Sequence, residues 1–232
     1  MECLYISDLA ENSDIIILNE AESKHTKSLR LGIGDEILVT NGDGLSAVCT
    51  LEEYSKKGNT LKCRNFFRNL NELDCEITLA VGVLDNPDRF EFIIEKAVEL
   101  GASEIVPLIS KFSGNKPVRY ERAVAKSIAA LKQSKRSILP IYSEPVYLSQ
   151  LYDKFDNWDV VILADENGEK KLNFEGMKKI LILCGPEGGF SEEEIAIINK
   201  SKNIQNVKLS ASRLRSETAA ISALSVVVFN MM

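Results

Sequence analysis

Two stretches of the chain carry residue types whose spacing could do chemistry. In Ile180-Leu-Ile-Leu-Cys-Gly-Pro-Glu-Gly-Gly-Phe-Ser-Glu-Glu-Glu-Ile195, a β-type apolar run ends at Cys184 and Gly185, Pro186, Glu187, Gly188 and Gly189 follow. Ser191 with Glu194 then has the spacing of a capping box that starts a helix. Three glycines in five residues let a ligand approach the backbone and meet its N–H and C=O groups. A turn just past the carboxyl end of a sheet strand is where open α/β sheets bind ligands. A tight turn that binds nothing is the alternative, but it does not need glycine three times. The loop lacks the G-x-x-x-x-G-K-[ST] pattern of a phosphate loop. The single G-x-G-x-x-[GA] match, Gly42-Asp-Gly-Leu-Ser-Ala47, leads into a strand rather than the helix a dinucleotide loop requires.

The second stretch is Val207-Lys-Leu-Ser-Ala-Ser-Arg-Leu-Arg-Ser-Glu-Thr-Ala-Ala-Ile221. A short strand again meets a loop and then a helix rich in small residues. Arg213, Arg215 and Glu217 are polar groups at the mouth of an otherwise apolar helix. Taken alone they fit a helix cap with a surface ion pair as well as they fit a site.

The rest of the composition narrows the chemistry. His25 is the one histidine, so histidine triads and multi-histidine metal sites are nearly excluded. Five cysteines, Cys3, Cys49, Cys63, Cys75 and Cys184, are scattered without a C-x-x-C pair. Reduced, mostly buried thiols and no metal site are expected of such a pattern in a cytoplasmic protein. No apolar run reaches the roughly 20 residues of a membrane span, and no basic segment leads into an apolar one at the amino terminus. The net charge is −6, yet residues 111–136 hold eight basic side chains against Glu121 alone. In an acidic chain that cluster is either a solvated face or a surface for phosphates. Arg119, Arg122 and Lys126 would fall within about 60° of one another on a helix.

These groups need elements to position them. Residues 1–72 read as β-rich: Ile15–Leu18, Glu36–Thr40, Ala47–Glu52 and Thr60–Phe67 are strand candidates, with turn signals at Asn41–Gly44 and Lys57–Asn59 and a short helix over Glu20–Leu29. Short strands at this spacing predict a small barrel. From residue 73 onward apolar runs alternate with helical periods. Strands are expected at Ile77–Val83, Ile105–Leu108, Val160–Ala164, Ile180–Cys184 and Asn206–Leu209. Helices are expected at Asp88–Leu100, Val118–Lys135 (just after Pro117), Glu192–Lys200 and Ser216–Phe229. That alternation predicts an α/β domain over residues 73–232 with a parallel sheet covered on both faces.

Gly185-Pro-Glu-Gly-Gly-Phe-Ser-Glu-Glu-Glu-Ile195 and Leu214-Arg-Ser-Glu-Thr-Ala219 resemble the two signature motifs of the RsmE family, bacterial enzymes of the trefoil-knotted SPOUT class that methylate N3 of a uridine in 16S ribosomal RNA. The likeness runs through the whole chain, including Ser28-Leu-Arg-Leu-Gly-Ile-Gly-Asp-Glu36 and Asp88-Arg-Phe-Glu-Phe-Ile-Ile-Glu-Lys-Ala-Val-Glu-Leu-Gly101. It implies a PUA-like barrel over 1–72 that holds RNA, a knotted domain that binds S-adenosylmethionine, and a homodimer. It places the cofactor against Leu183, Gly185, Pro186, Glu187, Gly188, Gly189, Leu209, Ser210 and Leu214. It places RNA against Arg30, Arg89, Arg119, Arg122, Lys126 and Arg136, with 16S RNA or the small ribosomal subunit as partner. Arg215 is the candidate for stabilising charge on the uracil oxygens. Glu217 would orient Arg215 or accept the N3 proton.

Several positions depart from the family pattern. Asn86-Pro87 stands where Lys-Gly is usual, Lys111-Phe112 where Glu-Arg is usual, and Lys132-Gln-Ser-Lys-Arg136 where Glu-Gln-x-Gly-Arg is usual; Ser212 precedes Arg213 where arginine and an aliphatic residue are usual. The cofactor loop keeps the pattern while RNA-facing positions differ. Two other readings therefore stay open: a knotted methyltransferase acting at another RNA site, and a non-catalytic RNA-binding assembly protein of the same fold.

Overall fold

The computed structural model describes residues 1–115, 118–169 and 172–232. Lys116 of the basic cluster and Pro117, expected at a helix start, lie outside the described residues. Cα packing divides the chain into two compact units, Met1–Glu72 with Ile128–Leu139 and Leu73–Ser127 with Pro140–Met232. The first unit thus takes in a later segment, 128–139, that the sequence assigns to the second.

The first unit is built on a five-stranded sheet in the order β1 (Glu2–Tyr5), β3 (Glu36–Thr40), β4 (Leu45–Glu53), β5 (Thr60–Arg68), β2 (Ile15–Ile17). The β1–β3 pair is parallel and the others are antiparallel. Strand β1 carries no turn signal and was not expected. The helix α1 (Glu20–Ser28) begins where the Asn19 side chain accepts the Glu22 N–H at 2.9 Å. Leu4, Ile37, Val39, Ala47, Leu51 and Leu61 fill the core. Cys49 and Cys63 face each other across β4 and β5 as free thiols. Their mutual hydrogen bond, with burial, pushes the Cys49 thiol up.

Arg136 closes this unit. Arg136 is 4% exposed, and its guanidinium donates through Nε to Glu72 at 3.0 Å and through Nη2 at 2.5 Å. The other Glu72 oxygen accepts from the backbone N–H of Ser137 at 2.7 Å and of Ile138 at 2.9 Å.

The second unit is a seven-stranded sheet with every pairing parallel. Its order is β12 (Ile204–Val207), β10 (Val160–Glu169), β11 (Lys179–Cys184), β6 (Glu76–Gly82), β7 (Glu104–Ile109), with β8 (Ile141–Tyr142) and β9 (Val146–Tyr147) both pairing with β7. The central strands are mostly apolar because both faces are covered, with Thr78 the polar exception inside β6. Alternation still sorts them. Ile77, Leu79, Ile162, Ile180 and Ile182 enter one core with α2 (Pro87–Glu99) and α6 (Ser216–Met231). Ala80, Val161, Leu163, Leu181 and Leu183 enter the other with α4 (Leu148–Tyr152) and Ile198 of α5 (Glu192–Ile198).

Helix α2 shows what Asn86-Pro87 does at its family-atypical place. The Asn86 side chain accepts the Asp88 N–H at 2.9 Å and Pro87 occupies the first turn, where its missing N–H costs nothing. Helix α3 (Tyr120–Ser134) is shorter than expected by two residues at its start and one at its end. No helix of the described residues is long and apolar enough to cross a membrane.

Candidate active site

The carboxyl ends of β10, β11 and β12 lie side by side, and a cleft of about 610 Å³ opens above them within the second unit. Both chemical stretches of the sequence line it, together with Leu163–Asn167 and Arg89. Gly185–Phe190 leave β11 and Lys208–Leu214 leave β12, so the sheet order brings together segments some twenty residues apart in sequence. The Ser216 hydroxyl donates to the Gly185 carbonyl, tying the start of α6 to the glycine loop.

The loop glycines are demanded first by the protein's own packing. A Cβ on Gly185 would lie 2.9 Å from Gly189 Cα, and one on Gly188 would lie 2.7 Å from the Cβ of Phe112. Gly189 has φ +71, a left-handed conformation, and a Cβ there would meet nothing within 4 Å. The loop closes through the Gly189 N–H, which donates to the Pro186 carbonyl at 2.9 Å. Downstream, Ser191 and Glu194 form the expected capping box, with Ser191 N–H to Glu194 Oε2 at 2.8 Å.

Of the residues expected at the cofactor, Gly185, Pro186, Glu187, Gly188, Gly189, Leu209, Ser210 and Leu214 all line the cleft. Leu183 does not. Its side chain is fully buried in the α4-side core; its register partner Leu163 enters the same core and also lines the cleft. Sequence reading also missed Asp165, Glu166 and Asn167. The β10–β12 register slips between Ala164 and Glu169, so these residues bulge out of the strand. Their polar, turn-like composition ahead of Gly168 is the signal that could have marked them.

Arg215 lines the cleft as the N-cap residue of α6. It is exposed, its side chain makes no cap hydrogen bond, and no ion pair to it is found among the described residues. Glu217 does not orient it. The Glu217 side chain is only 13% exposed and its Oε1 lies 3.7 Å from Nε of Arg89. Its other oxygen is buried without a hydrogen-bond partner. The acid therefore backs Arg89, which lines both the cleft and a shallower hollow beside it.

The expected RNA contacts separate. Arg30 is exposed on the first unit and Arg119 borders the hollow together with Arg89 and Glu187. Arg122 lies 2.8 Å from Glu91 and Lys126 lies 3.6 Å from Glu95, so acids of α2 neutralise most of the stripe on α3. Arg136 is a correction: its buried guanidinium is consumed by Glu72 and offers nothing to a phosphate.

Cys184 ends β11 directly ahead of the glycine loop, and burial pushes its thiol up to about 12, so no thiolate nucleophile stands here. Among the described residues no group of three or more His, Cys, Asp or Glu is placed to hold a metal ion.

A parallel α/β unit with a glycine-loop cleft over the carboxyl ends of its strands has the form of a small-molecule-binding domain. A family model described as an RNA methyltransferase domain matches residues 71–228, and one described as an RNA methyltransferase PUA domain matches residues 18–62. The ribosomal RNA small subunit methyltransferase E of Rickettsia conorii is 28% identical, over 97% of this chain and 93% of its own length. The protein of the same name from Aquifex aeolicus is 31% identical, over 93% and 94%. The crystal structure of the Neisseria gonorrhoeae ribosomal RNA small subunit methyltransferase E bound to S-adenosyl methionine is similar with a TM-score of 0.86 at 24% identity, over 99% of this chain and 98% of that one. The chain belongs to the ribosomal RNA small subunit methyltransferase E family.

Proposed function

We propose that this protein transfers a methyl group from S-adenosylmethionine to N3 of a uridine in 16S ribosomal RNA. The observation that carries the proposal is the meeting of both motif loops in one cleft with three arginines, Arg89, Arg213 and Arg215, along it, of which Arg213 lies 3.5 Å from Glu166. The cleft suits the cofactor: it has apolar walls at Leu163, Leu209 and Leu214, polar groups at Asp165 and Ser210, and a volume within the roughly 300–1,000 Å³ of small-molecule sites. When bound, S-adenosylmethionine supplies an electrophilic methyl group.

The protein's own residues must then deal with the acceptor. Uracil N3 holds a proton at neutral pH and is a poor nucleophile until that proton leaves. The proton passes to water in the open cleft; its loss spreads negative charge over O2 and O4, and a fixed cation at those oxygens lowers the barrier. Arg215 fits this task because its guanidinium is committed to no other group. It stays protonated and cannot be the base. Glu217 acts as a positioning residue that holds Arg89 at the rim.

The first unit would hold RNA in the manner of a PUA-like domain, and the enzyme would work in the cytoplasm, where ribosomes are assembled. A homodimer is proposed on the exposed apolar side chains of two packed helices, Phe92 on α2 at 45% and Val226 and Phe229 on α6 at 38% and 77%.

The test is a nucleoside map of 16S RNA. Small subunits from a deletion strain, incubated with the purified protein and S-adenosylmethionine, should gain one N3-methyluridine. Gain of a different methylated nucleoside would assign another RNA site. Cofactor binding without any methylation would assign a non-catalytic RNA-binding role.

A further inference from the structure

The segment Ser110–Ser113 is a tight turn with an exposed aromatic ring at its tip. The Ser113 N–H donates to the Ser110 carbonyl at 3.1 Å, and the Ser110 N–H donates to Ser113 Oγ at 2.8 Å. Ser113 Oγ in turn donates to the Leu108 carbonyl at 3.0 Å, fixing the turn to the end of β7. At the tip, the Lys111 N–H donates to Glu194 Oε1 at 2.8 Å. Glu194 is the capping-box residue of α5, so one carboxylate orders both the helix that follows the glycine loop and the turn that faces it.

Phe112 is 47% exposed on this turn. Its Cβ and ring edge lie against Gly188, so closely that no side chain could be added there. The Lys111 ammonium stands 5.6 Å from its ring centroid and 3.4 Å from Glu193 Oε2, an exposed pair that solvent screens and a phosphate can displace. Gly188 lines the cofactor cleft, and Glu187 next to it lines both the cleft and the hollow that holds Arg89 and Arg119. The protein thus spends four hydrogen bonds holding an aromatic face toward solvent beside its active site. An exposed ring with an adjacent cation is what single-stranded RNA recognition uses, because every base has a face to stack and a backbone to neutralise.

We propose that Phe112, with Lys111 beside it, is a stacking platform for a nucleobase of the RNA that flanks the acceptor uridine. The proposal rests on the RNA-methylating function above, and it assigns a specificity residue at a place where the family pattern has Glu-Arg. Phe112→Leu keeps the packing against Gly188 and removes the aromatic face. It should weaken binding of a short uridine-rich single-stranded RNA by roughly five- to a hundredfold, the range one base–aromatic stack supplies. KM for RNA should rise while cofactor affinity, measured by calorimetry, and melting temperature stay unchanged, and Phe112→Tyr should restore binding.

Phe112→Trp gives a readout that is independent of activity. The single native tryptophan, Trp158, is half-buried with its indole N–H on Thr78, so the new indole would report the tip of the turn. Its emission should be quenched as the oligonucleotide saturates. Unchanged emission, or RNA binding by the leucine variant at the parental level, overturns the proposal. So does conversion of a dimer to a monomer by Phe112→Leu, which would give the ring to a second copy of the chain. Parental protein that methylates RNA while these results fail removes the platform alone, whereas parental protein that binds no RNA removes both readings.

Discussion

Arg215 and Arg136 are both arginines in basic stretches of sequence, and the structure gives them opposite fates. Arg215 is exposed at a helix N-cap where its side chain caps nothing. Arg215→Ala should therefore leave melting temperature and cofactor affinity close to the parental values. Turnover should fall by roughly a hundredfold, the cost typical of losing one donor at a developing charge. Parental turnover would remove it from the reaction. Arg136 is sealed against Glu72 with side-chain exposures of 5% and 7%. Removing one partner of such a pair leaves a buried charge, so Arg136→Ala should cost about 3–5 kcal/mol in denaturant unfolding. An unfolding midpoint close to the parental one, combined with weakened RNA binding, would restore Arg136 to the RNA surface.

Among the elements, the register of β10 and β11 is fixed at one end by a single carboxylate. Asp159, just ahead of β10, accepts the N–H of Lys178 at 2.7 Å and of Lys179 at 2.8 Å, and these two backbone bonds hold its pKa below the ordinary carboxylate value. A folded-state pKa below the unfolded one means stability that is present above the ordinary carboxylate range and lost as pH falls through the folded value. Asp159→Asn should lower the melting temperature at neutral pH, and the gap to the parent should close in acid. A gap that does not change with pH would show that charge plays no part.

The same elements show what the sequence can and cannot tell. Apolar runs marked β6, β10 and β11 because a parallel sheet buries both strand faces. The capping box marked the start of α5 because that signal is local. Strand β12 lies at Ile204–Val207 rather than Asn206–Leu209, because polar Gln205 and Asn206 break its apolar run and its limits are set by pairing with β10. Leu183 was assigned to the cofactor because it precedes the glycine loop. Alternation puts Leu163 and Leu183 in the same core, and only Leu163, ahead of the bulge of β10, also reaches the cleft. The glycine loop itself was legible, but Arg89 as the partner of Glu217 was not, since 128 positions separate them and only the α2–α6 packing joins them.

For the molecule as a whole, Phe229 and Val226 are apolar area that the described chain leaves in solvent. Phe229→Asp should convert a dimer into a monomer in sedimentation, with cofactor affinity reduced if the neighbouring subunit completes the cleft. A parental monomer at micromolar concentration would end the dimer proposal. The first unit carries one further consequence, for how the protein is made. Its body ends at Glu72, but the arginine and backbone amides that satisfy Glu72 arrive only with residues 136–138. At roughly 5–20 residues per second of synthesis, the nascent unit waits several seconds with that carboxylate unmatched. Ordinarily an amino-terminal domain matures first. Here it reaches its final form only after the opening strands and helices of the second unit have left the ribosome.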